Sequence, residues 1–484
     1  MKKRWRLLSL LLSICLVLSS MAILASCDGK EETTSVASGG DETTEAKEEV
    51  HPEIGKKNYD DEFYLHILPD VNPVGYYWVE ESKNDIMSDA VYSRQEKVRQ
   101  HIGVEIVGTA TGNFSEYIEP FKTAVKNKDG SVDTLISHVH TGIDGLVGEN
   151  YLTDFNDVPG VELSADYWNQ EFMEDISLND HMYLGFNNFN ILYTYVVAFN
   201  KGMLDKYDDS FEESVYDMVN NYHWTLDKMI SIASLVYIDK SNDGKTADDT
   251  FGISAYHWVP FCGFLHSSNI NLVEVDSQGY YKVSVYNDVN REKTVALIDK
   301  IKALTLTDYA WFKGSSETIS LGSNRVLFNL TATISLTSLL DSDVEFGVLP
   351  YPMWDESQKD VGYRSLQWGG YLCIPSYTRD IQMIGETIEL LAFYSDDVAD
   401  AYYQKLLGKQ VADSPQDKQM LELIWDSVCS DFGQTYYSVV VDTSLLYMVP
   451  ILTKEDTTQN IASFMAKVDK MADKKFKQFI NKTK

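Results

Sequence analysis

Cysteine is scarce in this chain, five among 484 residues, and two of them, Cys15 and Cys27, fall near the start. The other three, Cys262, Cys373 and Cys429, are widely spaced, with no CxxC and no histidines at zinc spacing. A disulfide framework and a zinc site are excluded, which leaves buried thiols or at most one bridge. Basic residues are also few: 41 Lys and Arg against 73 Asp and Glu give a net charge of -32. That surface repels a phosphate backbone, so nucleic acid is excluded as a partner. It repels anionic lipid as well, so any membrane contact has to come from a discrete anchor. With 28 Gly and 11 Pro, the chain is neither collagenous nor of low complexity. No run after residue 24 is long and apolar enough to span a bilayer. GxSxG, HExxH and SxxK are all missing, which weakens hydrolytic readings. What remains is a globular composition, 44% hydrophobic, long enough for two or three domains.

The N-terminus supplies an anchor. Lys2, Lys3, Arg4 and Arg6 precede an uncharged apolar stretch at 7–24, the pattern of a secretory leader. It ends in Leu24-Ala25-Ser26-Cys27, which resembles the lipobox of bacterial lipoproteins; Cys27 is then the lipidated mature N-terminus. Each buried lipid CH₂ contributes about 0.8 kcal/mol, so two or three acyl chains hold a globular domain at a bilayer. Residues 28–57 are rich in Glu, Thr, Ser, Gly and Lys and almost free of large apolar side chains, the composition of a flexible linker.

From residue 58 strands and helices alternate. Phe63 to Leu68 reads as a strand, Asp89 as the cap of a helix carrying Val91, Val98 and Ile102, Gly103 as its stop, and Val104 to Val107 as the next strand. This is a βαβ unit, which closes with its strands parallel. Alternation continues with a helix at 121–128 and a strand at 134–139, and returns with a strand at 344–349 and a helix at 381–394. The fold class is α/β. Ligands in such sheets gather at the carboxyl ends of strands, here just past Leu68, Val139 and Ile253.

Several segments, in order and over about 420 residues, together resemble one family. They are NDIMSDAVYSR (84–94), VDTLI (132–136) with YLTDF (151–155), VAFNK (197–201), VYDMVNNYHWTLDK (215–228), FGISA (251–255) and EFGVLPYP (345–352). The family is that of the extracellular solute-binding proteins of ABC importers, family 1, maltose-binding-protein-like, in a lipoprotein form. The resemblance implies a two-lobe periplasmic-binding-protein-like type II fold with a hinge and a ligand cleft between the lobes. It implies lobe 1 at 58–186 plus 334–380 and lobe 2 at 187–333 plus 381–484, following the leader (1–27) and linker (28–57). Closure on a solute, read by the importer's permease subunits, is the implied mechanism. The implied protein is a monomer on the extracellular face of the cell membrane, touching it through its lipid alone. Two rivals stand beside this reading: a surface lipoprotein feeding a sensor instead of an importer, and a secreted glycoside hydrolase using paired carboxylates.

Asp239-Lys240-Ser241-Asn242-Asp243-Gly244-Lys245 follows a calcium-loop pattern, with oxygen side chains at positions 1, 3 and 5 and a glycine for the turn. Asp239, Ser241, Asp243 and Lys245, with Asp248 or Asp249 from the far end, are its candidate ligands. Position 12 is Thr250, where an EF-hand has a bidentate Glu. The competing reading is a polar turn between a helix ending near Ile238 and a strand at Phe251. A calcium loop just before this strand is something the family resemblance also implies, with a structural role.

A sugar offers a flat face of C–H groups edged by hydroxyls, so its site needs aromatic platforms with hydrogen-bonding groups around them. The chain has 9 Trp and 30 Tyr, so position has to select among them. Tyr76, Tyr77 and Trp78 follow the first strand, where three adjacent aromatics cannot all enter one core. His138 and His140, two apart at a strand end, project to one side, as ligand hydrogen-bonders, structural histidines or a metal pair. By analogy with the family, His257 and Trp258 after FGISA, Trp368 on a segment returning to the hinge, and Asn190 and Asn329 near crossings complete the expected ligand-binding set. The negative charge favours a neutral oligosaccharide over an acidic one.

Overall fold

Leu65, His66 and Ile67 close a strand buried on both faces, Asp61–Ile67. It opens the computed structural model, which describes residues 51, 53–68, 74–110, 116–256, 259–276, 279–285, 289–313, 317–339, 342–412, 414–436 and 460–483. The chain divides between Glu53 and Ile54, and the fold is that of the second part. In chain order its strands are β1 (Asp61–Ile67), β2 (Val104–Thr109), β3 (Thr134–His138), β4 (Tyr195–Asn200), β5 (Tyr237–Ile238), β6 (Thr250–Tyr256), β7 (Val273–Val275), β8 (Tyr281–Val283), β9 (Ala310–Lys313), β10 (Val326–Ala332), β11 (Phe346–Leu349), β12 (Ser365–Leu366), β13 (Gly369–Cys373) and β14 (Val428–Cys429). The helices that matter for the site are α1 (Ile86–Ile102), α2 (Val259–Ser267), α3 (Arg291–Thr305), α4 (Ile381–Phe393), α5 (Asp396–Ala412), α6 (Pro415–Asp426) and α7 (Ile461–Lys482).

The first sheet has the order β13-β3-β1-β2, with β1 parallel to both β2 and β3 and β13 antiparallel to β3. β1, α1 and β2 make the expected βαβ unit. Gly103, at φ 68°, stops α1 with its N–H on the Arg99 carbonyl, and β2 starts at the next residue. The helix begins earlier than its periodicity suggests. Asn84, at φ 58°, turns the chain so that Asp85, not Asp89, accepts the Met87 and Ser88 amides as the cap. Asp89 stands in the first turn, where Ser82 Oγ donates to it.

The second sheet runs β11-β4-β10-β6-β5, with β9 pairing further along the same edge of β6 as β5. All six residues of β4, YVVAFN, are buried, as suits a central strand covered on both faces. The helix expected to reach Ile238 is instead Leu226–Ala233. Tyr237 and Ile238 then pair antiparallel with Phe251 and Thr250, so the acidic turn at 239–249 is the loop of a hairpin.

The sheets also redraw the expected lobe boundaries. β11 pairs antiparallel with β4, so the chain around 346–349 stays with the second sheet and does not return to the first. α4 and α5 pack on α1 and so join the first lobe, whereas α6 packs on β11 of the second. Local periodicity specifies a strand or a helix but not its partner, and the partner decides the lobe. The chain crosses between lobes at 187–194, at 364–368 and between α5 and α6. One continuous apolar core runs through both lobes, with a small satellite of Phe251, Trp311, Ile319 and Val326. Cys262 and Cys373 are buried free thiols and Cys429 is a half-buried one. Among the described residues no helix is long and apolar enough to cross a membrane.

Candidate functional site

The first two crossings lie side by side, and one side chain ties them. Gln367, fully buried, accepts the Tyr193 amide at Oε1 (3.0 Å). Its Nε2 donates to the carbonyls of Ile191 (2.9 Å) and Gly369 (2.8 Å). Around it, the Trp368 amide donates to the Tyr193 carbonyl (2.9 Å) and Thr194 Oγ1 to the Leu366 carbonyl (2.7 Å). Asn190 Nδ2 donates to the Gly370 carbonyl. Gly370 sits at φ 80°, and a Cβ there would stand 2.7 Å from the Tyr77 hydroxyl, so this turn requires glycine twice over.

At this junction aromatic rings from both lobes meet in a seam. His138, at the end of β3, lies 5.4 Å from the Tyr193 ring and 6.4 Å from Trp368. Trp368 meets Tyr195 edge-on at 4.9 Å, and Tyr195 continues to Tyr351 at 5.9 Å and on to Phe264 of α2 at 5.2 Å. Burial pushes the Tyr193 phenol up to about 12 and holds that of Tyr351 well above its usual range, so both stay O–H donors. The buried Tyr351 hydroxyl has no hydrogen-bond partner among the described residues. A buried hydroxyl of this kind normally has one, and a ligand hydroxyl would supply it.

Of the residues expected from sequence, His138 and Trp368 meet in this seam. Asn190 stands at the crossing, but its amide is used to hold Gly370, and the segment 188–192 faces Val398, Tyr402, Tyr403 and Trp425 in a shallow recess. His257 and Trp258 lie outside the described residues. So does the side chain of His140, whose backbone is in the turn Val139–Thr141. Cys27 is likewise outside them.

The other expected residues are used elsewhere. Tyr76 and Tyr77 are buried in the helical turn Val74–Tyr77, against Tyr402 (5.1 Å) and Phe189 (5.4 Å) respectively. They stay there because Arg94 of α1, itself buried, donates to both of their carbonyls and to Ser395 Oγ while its guanidinium stacks on Phe189. Burial draws that guanidinium down to about 9. Trp78 covers Gly108 of β2 and gives its indole N–H to the Ile106 carbonyl (2.8 Å). Asn329 is in the middle of β10, not at a crossing, with Nδ2 on Ser254 Oγ (2.9 Å). Sequence reasoning missed Tyr193, Tyr195, Tyr351 and Gln367. Tyr193 and Tyr195, two apart where the VAFNK strand begins, carried a usable signal, because period 2 puts both on one face.

In the acidic turn, the Gly244 amide donates to Asp239 Oδ2 (3.1 Å) and Ser241 Oγ to Asp243 Oδ1 (2.7 Å). Lys245 instead reaches the Thr307 carbonyl with its amine (2.7 Å). Asp249 closes the loop, accepting the Thr246 and Lys240 amides, and the Thr246 bond leads in holding its carboxyl below the usual range. Asp248 is exposed beside Arg325. Both Asp249 oxygens are thus taken by amides of the turn itself, and Asp248 stands outside it. Among the described residues no three His, Cys, Asp or Glu side chains converge as a metal site. Asp239 Oδ1, however, is buried without a hydrogen-bond partner.

Comparison with known proteins adds to this geometry. No curated protein matches the chain. Among solved structures, the GacH receptor of Streptomyces glaucescens, known unliganded and in complex with acarbose and an acarbose homolog, is 13% identical, covers 88% of this chain and 99% of its own, and gives a TM-score of 0.57. The maltose/maltodextrin-binding domain MalE from Bdellovibrio bacteriovorus, bound to maltotriose, is 13% identical over 87% of this chain and 100% of that one, at 0.54. An ABC substrate-binding protein of Listeria monocytogenes in complex with cycloalternan is 11% identical over 87% and 98%, at 0.52. Identities this low establish a shared fold, the two-lobe type II arrangement of maltose-binding-protein-like proteins. The model for bacterial extracellular solute-binding proteins matches residues 95–409, about two thirds of the chain. With its two lobes, its paired crossings and an aromatic seam between them, the chain belongs to the family of bacterial extracellular solute-binding proteins.

Proposed function

We propose that this solute-binding protein captures a neutral oligosaccharide between its lobes, is held at the outer face of the cell membrane by lipid on Cys27, and delivers its sugar to the permease subunits of an ABC importer. The observation that carries the sugar reading is the seam His138–Tyr193–Trp368–Tyr195–Tyr351. Its rings come from both lobes and are packed together and, Tyr193 apart, buried, so a sugar reaches their faces where the lobes part, and contacts with rings of both lobes then shift the population toward closure around it. The Tyr351 hydroxyl supplies a donor beside the apolar faces. The ligands of the three similar structures, acarbose, maltotriose and cycloalternan, fit this choice of solute class.

A thermal-shift screen of the chain from residue 58 against mono- and oligosaccharides tests it. A sugar at 100 times its Kd adds about 2.7 kcal/mol to stability, a visible rise in midpoint. Trp368→Ala, compared with its own ligand-free midpoint, loses most of that rise. A panel of neutral sugars that moves nothing, beside a peptide or amine that does, would remove the carbohydrate reading and leave the family intact.

Calcium enters this reading as a structural ion of the 239–245 turn alone, held through Asp239 and Asp243 and not through Asp248 or Asp249. The unpartnered, buried Asp239 Oδ1 supports it. Millimolar calcium then raises the melting midpoint over that in EDTA, and Asp239→Asn abolishes the difference. Equal midpoints in the two buffers would remove the ion.

A further inference from the structure

Basic residues are scarce in this chain except at its C-terminal end, where helix α7 lies beyond the stretch 95–409 that the family model matches. Its sequence, IASFMAKVDKMADKKFKQFINK, carries six lysines and two aspartates.

Burial divides the helix into two faces. Met465, Ala472, Phe476 and Phe479, at helical spacing, turn toward the protein. At about 100° per residue, Lys467, Lys470, Lys474, Lys475, Lys477 and Lys482 fall within an arc of about 160° on the other side, and all six are exposed. Asp469 and Asp473 are half-buried on one flank between the two faces. No residue of α7 described as exposed is acidic. Lys477 meets Asp473 at 2.7 Å, whereas Lys467, Lys470, Lys474 and Lys482 make no ion pair among the described residues.

The helix is docked, so its lysines are held in one plane. It packs on β8 and α3 of the second lobe and on the helix Ile143–Gly148 of the first. Phe476 meets Tyr281 (6.2 Å) and Phe432 (5.7 Å), and Phe479 meets Tyr436 (5.2 Å). From Lys467 to Lys482 the charged face runs about 22 Å along the axis.

A flat face of one sign fits a planar surface of the other. The chain as a whole, at -32, repels anionic lipid. Salt, however, confines charge interactions to about 8–10 Å, so a surface laid against α7 meets the lysines first. The chain between Cys27 and Ile54 spans at most about 90 Å, so acylation at Cys27 brings the protein to a bilayer without choosing which side faces it.

We propose that the outer face of helix α7 docks on a bilayer containing anionic lipid, with Lys467, Lys470, Lys474 and Lys482 against the headgroups, and so sets which side of the protein the membrane meets. The choice of a bilayer as the occupant rests on the lipid-anchor reading of Cys27, but the contact itself needs no acyl chain and no solute.

Co-sedimentation with vesicles tests it, using the mature chain with Cys27→Ser, which cannot be acylated. This chain partitions onto vesicles of phosphatidylglycerol and phosphatidylcholine in equal parts, not onto phosphatidylcholine alone, and added salt releases it. Each lysine beside an anionic surface raises the partition about fivefold, so Lys467→Gln/Lys470→Gln/Lys474→Gln/Lys482→Gln lowers it by more than about a hundredfold. Lys83→Gln/Lys206→Gln/Lys240→Gln/Lys418→Gln, exposed lysines elsewhere, changes the net charge equally and leaves the partition as it was. Melting midpoints of both variants equal to the parent's show that each is folded. No partition of the parent onto the anionic vesicles, or equal losses in the two variants, overturns the proposal. So does a dimer that only the α7 variant abolishes in the absence of vesicle binding, which assigns the face to the acidic surface of a second copy. The mass of membrane-extracted wild type reports acylation of Cys27 separately, so failure of the anchor reading is distinguishable from failure of this one.

Discussion

Gln367→Glu lowers the unfolding free energy at pH 8 by about 3–5 kcal/mol. The wild-type amide fits a site with one donor and two acceptors: the Tyr193 N–H on Oε1, and the Ile191 and Gly369 carbonyls on Nε2. A carboxylate keeps the first bond and turns an oxygen toward both carbonyls, in a position with no exposure to water. Two buried acceptors lose their donor and an anion is buried without a counter-ion. Gln367→Ala removes all three partners and costs a similar amount, without charge. The measurement is the urea midpoint at constant m-value. In the Glu variant, burial raises the folded-state carboxyl above its unfolded value, so stability returns as pH falls and the protonated acid donates to one carbonyl. Midpoints equal to wild type in both variants would show that the crossings do not depend on this side chain.

The second large effect is a pH dependence centred on Asp431. Burial pushes this carboxyl up to about 7 in the folded chain, against a partial opposing pull from the Gln434 and Leu272 amides and Arg364. Burial likewise draws the neighbouring His266, 3.9 Å away, down to about 3, so it stays neutral and offers no compensating charge. A folded-state pKa raised above the unfolded 3.8 means that the folded form holds the proton more tightly. The resulting stabilisation is full below pH 4 and is lost as pH rises through 7, on the order of 4 kcal/mol in all. Asp431→Asn does not titrate and removes this slope between pH 4 and 7. It sits lower throughout, because an amide N–H₂ replaces one of the two acceptors of backbone N–H groups. Urea titrations at pH 5 and 7 give the slope. Identical slopes in wild type and variant would place the Asp431 pKa near its ordinary value.

What could be read without coordinates follows from what local sequence can encode. The β1–α1–β2 unit was legible because Gly103 can only end a helix one way and the apolar residues flanking it keep strand and helix periods. That Trp368 and His138 come together was legible in part because each marks the end or start of a strand, β3 and β13, that pair side by side. Tyr76 and Tyr77 were misplaced because nothing local announces that Arg94, on the following helix, holds their carbonyls in the core. Asp249 was offered as an ion ligand because only the local Thr246 amide could be foreseen beside it; the Lys240 amide that takes its other oxygen becomes a neighbour once β5 and β6 have formed a hairpin.

Composition and the order of short motifs were enough to set the class of the protein: an acidic, thiol-poor chain with alternating elements, whose motifs point to a solute-binding family. Composition and periodicity are sums over neighbours in the chain, so they survive without a structure. Only the tertiary structure decided which strands share a sheet, that Gln367 joins the two crossings, that Tyr193, Tyr195 and Tyr351 complete the seam, and that the C-terminal segment spans both lobes. Each of these is a pairing between residues up to some three hundred positions apart. A hydrogen bond or ring contact at that separation is fixed by the packing of whole elements and leaves no periodic trace in either segment alone.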